Sequence, residues 1–127
     1  MLIIKNANIY TMAGSRYDNG FVACSGDKIA AVGPMTECLE AGPDDQVIDA
    51  AGMVLMPGLV DAHCHVGMVE DAMGFEGDDV NEMTDPVTPH LRAIDGINPY
   101  DRAFEEARQF GVTTVVTGPG SANVLGG

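Results

Sequence analysis

Basic side chains are scarce in this sequence. Six Lys and Arg residues stand against 19 Asp and Glu, which gives the 127-residue chain a formal net charge of −13. Proteins that bind nucleic acid or an anionic membrane surface use a surplus of positive charge to neutralise phosphates. The chain has no such surplus, so the sequence argues against both kinds of partner.

Long apolar runs and paired cysteines are also lacking. The opening residues, MLIIKN, contain too short an apolar run for a signal peptide, and no later run approaches the length of a membrane span. Cys24, Cys38 and Cys64 are an odd number without the spacing of a disulfide framework or a thiolate zinc site. We therefore expect a cytoplasmic protein whose thiols are buried and unpaired.

The stretch MPGLVDAHCH, residues 56–65, is an apolar run that ends in two histidines. Side chains alternate along a β-strand, so Asp61, His63 and His65 share one face, with the two imidazoles about 7 Å apart. Two neutral imidazoles at this spacing can converge on a cation such as zinc or iron. By spacing alone, a pair of histidines that only hydrogen-bond to their neighbours is an equally good interpretation.

The surroundings of the two histidines favour the metal site. The segments VIDAAG at residues 47–52 and PGLVDAHCH at 57–65 resemble the start of a metal-dependent amidohydrolase of the imidazolonepropionase-like kind. The resemblance implies an α/β fold in which His63 and His65 end the first strand of a (β/α)8 barrel and ligate a divalent metal, for which we expect zinc. It also implies that residues 1–55 belong to a small β-sandwich domain. Residues 56–127 would then supply the first two strands and first helix of the barrel.

The activity that this resemblance implies is hydrolysis of a C–N bond in an amide, cyclic amide or amidine by metal-activated water. Family members complete the site with further ligands and an aspartate base from later strands. We expect Asp61 either to be structural or to support the ligands without binding the metal itself. A barrel takes about 250 residues, so we expect an N-terminal piece that is inactive alone. Its partners would be a small-molecule amide and either a second copy or the remainder of the enzyme. The alternative is a non-catalytic metal-binding or subunit-interaction module.

Short β-prone runs separated by turn residues dominate the first 55 residues. We predict strands at residues 2–5, 8–12, 21–24, 28–32, 46–49 and 53–55. A turn is predicted at Asp18-Asn19-Gly20, and a hairpin around Ser25-Gly26-Asp27. A single helical turn is predicted near residues 36–40.

A long acidic connection follows, from residue 67 to residue 97, with no sustained periodicity. Such loops are uncommon unless they serve as lids or binding loops. The sequence does not distinguish a lid from an acidic loop that is simply exposed to solvent. A calcium-binding loop is not indicated, because the acidic residues lack EF-hand spacing. His90 is a candidate substrate contact, although a lone loop histidine is more often simply exposed.

A helix and a strand come next in the chain. Asn98 is the predicted helix cap and Pro99 the first helical residue, and Gly111 ends the helix. The predicted apolar face consists of Tyr100, Ala103, Phe104, Ala107 and Phe110. The run VTTVVT at residues 112–117 predicts a strand, so strand, helix and strand form a βαβ unit with two parallel strands.

The glycine-rich tail, residues 118–127, lies beyond the carboxyl end of that second strand. Ligands gather at this end of parallel sheets, the end that also holds His63 and His65. Asn123 stands where the third glycine of a dinucleotide fingerprint belongs, so nucleotide binding is not indicated. The tail is either a flexible turn or a loop that binds the substrate. In the second case the candidate substrate contacts are Gly118, Gly120, Ser121 and Asn123.

Overall fold

Two units, each with its own sheet, make up this sheet-dominated α/β chain. A computed structural model describes residues 1–71 and 73–124, and it divides the chain into Met1–Pro57 and Gly58–Gly127. Ala72, in the acidic connection, and the last part of the predicted substrate loop, residues 125–127, lie outside the described residues.

The first unit is a five-stranded mixed sheet. Its strands are β1 (Leu2–Tyr10), β2 (Arg16–Ser25), β3 (Lys28–Pro34), β4 (Gln46–Asp49) and β5 (Val54–Leu55). The order is β3-β2-β1-β4, and β5 also pairs with β1. The β2–β3 pairing is antiparallel and confirms the predicted hairpin, in which Gly26 adopts the positive φ of 59° that its turn needs.

The core of this unit lies along β1 and β2. Ile3, Phe21 and Ala23 form one buried cluster, and the 3-10 turn at Met35–Glu37, close to the helical turn predicted from the sequence, brings Met35 against it. Ala7 and Ile9 form a second buried cluster with Ala50, which follows β4. The pairing of β1 with β2 shifts register between Ile4 and Ala7, where Asn6 has a φ of 56°, so Ile3 and Ala7 belong to different clusters although both are odd-numbered.

The turn predicted at Asp18-Asn19-Gly20 is wrong, because these residues lie inside β2. The chain turns earlier, between β1 and β2, where Met12 and Gly14 have φ values of 57° and 96°. Gly20 is a glycine for a different reason. A Cβ there would lie 2.7 Å from the carbonyl oxygen of Gly33 and 2.8 Å from Ile9 Cδ1, so close packing excludes a side chain.

The second unit contains the βαβ arrangement that the sequence predicted. Strands β6 (Leu59–Cys64) and β7 (Val112–Thr117) pair in parallel and are linked through two helices, α1 (Ala93–Gly96) and α2 (Arg102–Gln109). The acidic connection also forms a 3-10 turn at Gly74–Gly77. Met68 and Thr88 are buried, so parts of this connection pack against the rest of the unit.

The start of α2 differs from the prediction. Asp101, and not Asn98, caps the helix, and its side chain accepts a hydrogen bond from the backbone N–H of Ala103. Asn98 caps the preceding turn instead, where its Oδ1 accepts from the N–H of Tyr100 at 3.0 Å. Tyr100 therefore precedes the helix and Phe110 follows it, and both are exposed rather than part of an apolar face.

Two further sequence expectations concern cysteines and membranes. Cys24, Cys38 and Cys64 are unpaired as predicted, but each is half-buried rather than buried. Among residues 1–71 and 73–124, no helix is both long enough and apolar enough to cross a membrane.

Candidate metal centre

The imidazole rings of His63 and His65 lie beside each other at the end of β6. His63 belongs to the strand and His65 follows directly after it. The ring centroids are 5.4 Å apart and the ring planes meet at 79°. The alternation of side chains along the strand thus brings both rings to one side of the sheet.

A hydrogen bond from β7 fixes the ring of His65. Its Nδ1 lies 2.7 Å from the carbonyl oxygen of Gly118, the first residue after β7. A carbonyl oxygen only accepts, so Nδ1 carries the proton and donates it, and in the neutral ring Nε2 is then the nitrogen with a lone pair for a metal. A histidine that ligates a metal is usually held in this way by the ring nitrogen that faces away from the ion.

The backbone around the two histidines is held by both strands. The Thr117 hydroxyl donates to the carbonyl oxygen of Val66 at 2.8 Å, and the N–H of Gly118 donates to that of Cys64 at 3.3 Å. Asp61 Oδ1 accepts from the backbone N–H of His63 at 3.1 Å. These bonds place the histidines at the carboxyl end of two parallel strands, where ligands bind in α/β proteins.

The predicted substrate loop packs against residues 80–82. The N–H of Gly120 donates to the carbonyl oxygen of Val80 at 2.7 Å, and Asn123 Nδ2 donates to that of Glu82 at 3.1 Å. A Cβ on Gly120 would lie 2.5 Å from Asn81 Oδ1, so a side chain there would displace the Asn81 amide. Ser121 is exposed. No pattern in the sequence indicated that Asn81 contacts this loop.

His90 is exposed and lines an open cavity of about 360 Å³ together with Asn81 and Glu82. The Thr84 side chain and backbone N–H, which donate to Glu82 Oε1 at 2.5 and 2.7 Å, hold the pKa of Glu82 below its usual range. The charge of His90 lowers that pKa further. His90 therefore lies beside residues 81 and 82, which the glycine loop contacts. Gly118, in turn, is in contact with the ring of His65.

The two imidazoles fit a metal site as part of its ligand set. A catalytic zinc site takes three protein ligands and leaves a position open for water, whereas a structural site is closed by four. In the described part of the chain, no group of three or more His, Cys, Asp or Glu side chains is arranged to hold a metal ion. His63 and His65 therefore form an open pair that needs at least one more ligand.

No family model matches the chain, but individual proteins are similar to it. The chain is similar in structure to an amidohydrolase from Thermotoga maritima MSB8, with a TM-score of 0.86 and 44% identity over 97% of this chain. It is 45% identical over 87 residues to Amidohydrolase tasK of Hapsidospora irregularis, covering 67% of this chain. It is 36% identical over 85 residues to Imidazolonepropionase of Symbiobacterium thermophilum, covering 56% of this chain.

The chain thus resembles the N-terminal region of proteins of the amidohydrolase superfamily, which confirms the resemblance seen in the sequence. It spans 31% of the Thermotoga chain, 9% of the tasK protein and 20% of the imidazolonepropionase. The relatives carry the names of hydrolytic enzymes, and the similarity extends over both units of this chain.

Proposed function

We propose that this chain is the N-terminal part of a metal-dependent amidohydrolase, in which His63 and His65 are two ligands of a divalent metal, most suitably zinc. One observation carries the proposal. His65 donates its Nδ1 proton to Gly118 and keeps its Nε2 lone pair free, beside the ring of His63. Imidazole nitrogens held in this way are the usual ligands of catalytic zinc.

A bound zinc ion supplies Lewis acidity and lowers the pKa of water to about 7, which suits hydrolysis of a C–N bond in an amide, cyclic amide or amidine. The residues of this chain would hold the metal ion and orient its ligands and the substrate. The contact with Gly118 fixes the ring of His65, and the glycine loop forms a wall with residues 80–82. The proposed substrate contacts are His90, Gly118, Gly120, Ser121 and Asn123.

We assign β6, α2 and β7 to the first βαβ unit of a (β/α)8 barrel, and residues 1–55 to a small β-sandwich domain. The exposed apolar side chains of the two strands support the barrel assignment: Leu59, Val60 and Val116 are 49%, 63% and 59% exposed. Further strands would cover them. Two imidazoles are fewer than a catalytic zinc site needs, so the remaining ligands and the general base come from outside the described residues, and the 127 residues alone are inactive.

A non-catalytic module for metal binding or subunit interaction is the second candidate. The same exposed apolar side chains favour it, because exposed apolar side chains grouped on one face are typical of an interaction surface. Its partner would be a second copy of the chain. In the enzyme, the partners would be the remainder of the protein and a small-molecule amide. The cytoplasmic location stays a prediction from the sequence.

Zinc titration of the chain, monitored by calorimetry with a competing chelator, tests the ligand assignment. His63→Ala and His65→Ala should each weaken zinc binding about tenfold or more, because each removes one of two ligands. His90→Ala is the matched control and should leave zinc affinity unchanged. If neither His63→Ala nor His65→Ala changes the affinity, the assignment is wrong.

An activity assay separates the enzyme from the module. The chain is incubated with cyclic amides and N-acyl amino acids in the presence of zinc or manganese. We expect no turnover from the 127 residues alone. We expect turnover when the part of a relative that has no counterpart in this chain is added as a separate polypeptide. Metal-dependent turnover by the isolated chain, abolished by His63→Ala, would show that the site is complete without further ligands. Zinc binding with no turnover in either arm would favour the module.

A further inference from the structure

Asp101 makes more contacts than capping α2 requires. The residue is buried, with 6% of its surface exposed, although its side chain is a carboxylate. Oδ1 accepts from the backbone N–H groups of Ala103 and Asp71 at 3.1 and 3.2 Å, and Oδ2 accepts from that of Gly67 at 3.1 Å. A helix cap needs only the bond to Ala103. The other two bonds satisfy the buried carboxylate with backbone N–H groups that lie 34 and 30 positions earlier in the chain.

That segment begins just after the candidate metal ligand His65. Gly67 is two residues beyond His65, and its carbonyl oxygen accepts from the N–H of Asn98 at 2.8 Å. Both backbone groups of Gly67 are therefore bound by the chain that leads into α2. Gly67 has a φ of 86°, and a Cβ there would lie 2.8 Å from Phe104 Cε2, so the backbone also packs directly on the helix.

The other side of the segment is held by β7. The Thr117 hydroxyl donates to Val66, and the ring of His65 donates to Gly118. Residues 65–67 are thus fixed between the end of β7 and the start of α2. Only Val66 separates His65 from Gly67. A shift of the backbone at Gly67 would therefore move the His65 ring away from the Gly118 carbonyl oxygen.

We propose that Asp101 is a positioning residue for His65. Its carboxylate fixes the backbone at Gly67, which keeps the His65 ring on the Gly118 carbonyl and its Nε2 free for the metal. The effect on the ring follows from the hydrogen bonds alone. The effect on metal affinity rests on the proposed function.

Asp101→Asn is the sharpest variant because it separates the two roles of the side chain. The amide keeps one oxygen, which can stay at the Oδ1 position and accept from Ala103 and Asp71. Its NH₂ group then replaces Oδ2 and faces the N–H of Gly67, so that one bond is lost. Asp95→Asn is the matched control, because it makes the same chemical change at an exposed carboxylate paired with Arg92.

Nitrogen NMR of the metal-free, 15N-labelled chain reports the tautomer of His65 directly, and is recorded above about pH 8, where ordinary histidines are neutral. We expect the Nδ1–H tautomer in the unmodified chain and in Asp95→Asn. In Asp101→Asn we expect a mixture of tautomers and faster exchange of the Gly67 amide proton. Zinc affinity should fall about tenfold, within the range known for contacts that orient metal ligands.

An unchanged His65 tautomer and unchanged zinc affinity in a folded Asp101→Asn chain would overturn the proposal. If the tautomer shifts in that variant but the unmodified chain binds no zinc, the positioning role stands and the metal proposal fails. If Asp101→Asn does not fold, Asp101→Ser gives the same comparison. Serine keeps the helix cap, but its side chain is too short to hold Gly67 as well, so the same tautomer shift is expected, and its absence overturns the proposal.

Discussion

Gly67 and Gly111 allow a controlled test of how tightly the segment after His65 packs on α2. Their φ values are nearly the same, 86° and 87°, so an added side chain meets the same backbone strain at both positions. Their surroundings differ. A Cβ at Gly67 would lie 2.8 Å from Phe104 Cε2 and 3.0 Å from Ile97 Cγ2, whereas one at Gly111 would have no atom within 4 Å.

The expected difference follows from these distances. Backbone strain costs about 1–2 kcal/mol for a non-glycine residue in the left-handed region, and it applies to both Gly67→Ala and Gly111→Ala. Overpacking adds about 1–3 kcal/mol, and it applies only at Gly67. We therefore expect Gly67→Ala to lower the free energy of unfolding of the second unit by about 1–3 kcal/mol more than Gly111→Ala does.

Urea unfolding at one fixed protein concentration, followed by NMR signals of the second unit, measures this difference. Phe104→Leu shortens the side chain that the new methyl group would meet. In that background, the cost of Gly67→Ala should approach the cost of Gly111→Ala. Equal losses for the two alanine variants in the unmodified background would refute the close packing described for Gly67.

Three further predictions concern the connection, the exposed strands and one carboxylate. Limited proteolysis should cut first between residues 67 and 95, and early cuts within residues 1–55 would contradict this. Light scattering should show a mass above that of a monomer that rises with concentration, because β6 and β7 expose apolar side chains, and a monomer with one sharp thermal transition would count against it. Thr84→Val should raise the pKa of Glu82 in an NMR titration, because it removes the largest cause of the lowered pKa. The stability linked to this carboxylate is present above the ordinary glutamate pKa and is lost as the pH falls through the lowered one, so Thr84→Val should weaken that loss.

Local patterns were sufficient to predict most strands. The β2–β3 hairpin follows from Ser25-Gly26-Asp27, and β7 follows from a run of β-branched residues. Both depend on neighbours in the sequence. The prediction of a turn at Asp18-Asn19-Gly20 failed, because a glycine is needed at position 20 for close packing against Gly33 and Ile9. The local sequence does not reveal this packing.

The site was predictable only in part, and for the same reason. The alternation of β6 indicated that His63 and His65 share a side, and the parallel pairing indicated that the glycine loop lies at the same end. The hydrogen bond from His65 to Gly118 joins residues 53 positions apart, so no local pattern predicts it. The helix cap was misplaced at Asn98 because distant N–H groups of Gly67 and Asp71 hold Asp101 in the capping position.

The central claim is that His63 and His65 bind one metal ion together. X-ray absorption at the zinc edge, with less than one equivalent of zinc added to the chain, counts the imidazole groups around the ion. We predict two imidazole nitrogens at about 2.0–2.1 Å, with oxygen in the remaining positions, and one imidazole after either His63→Ala or His65→Ala. A cysteine sulfur at about 2.3 Å, or a spectrum that neither substitution changes, would contradict the claim.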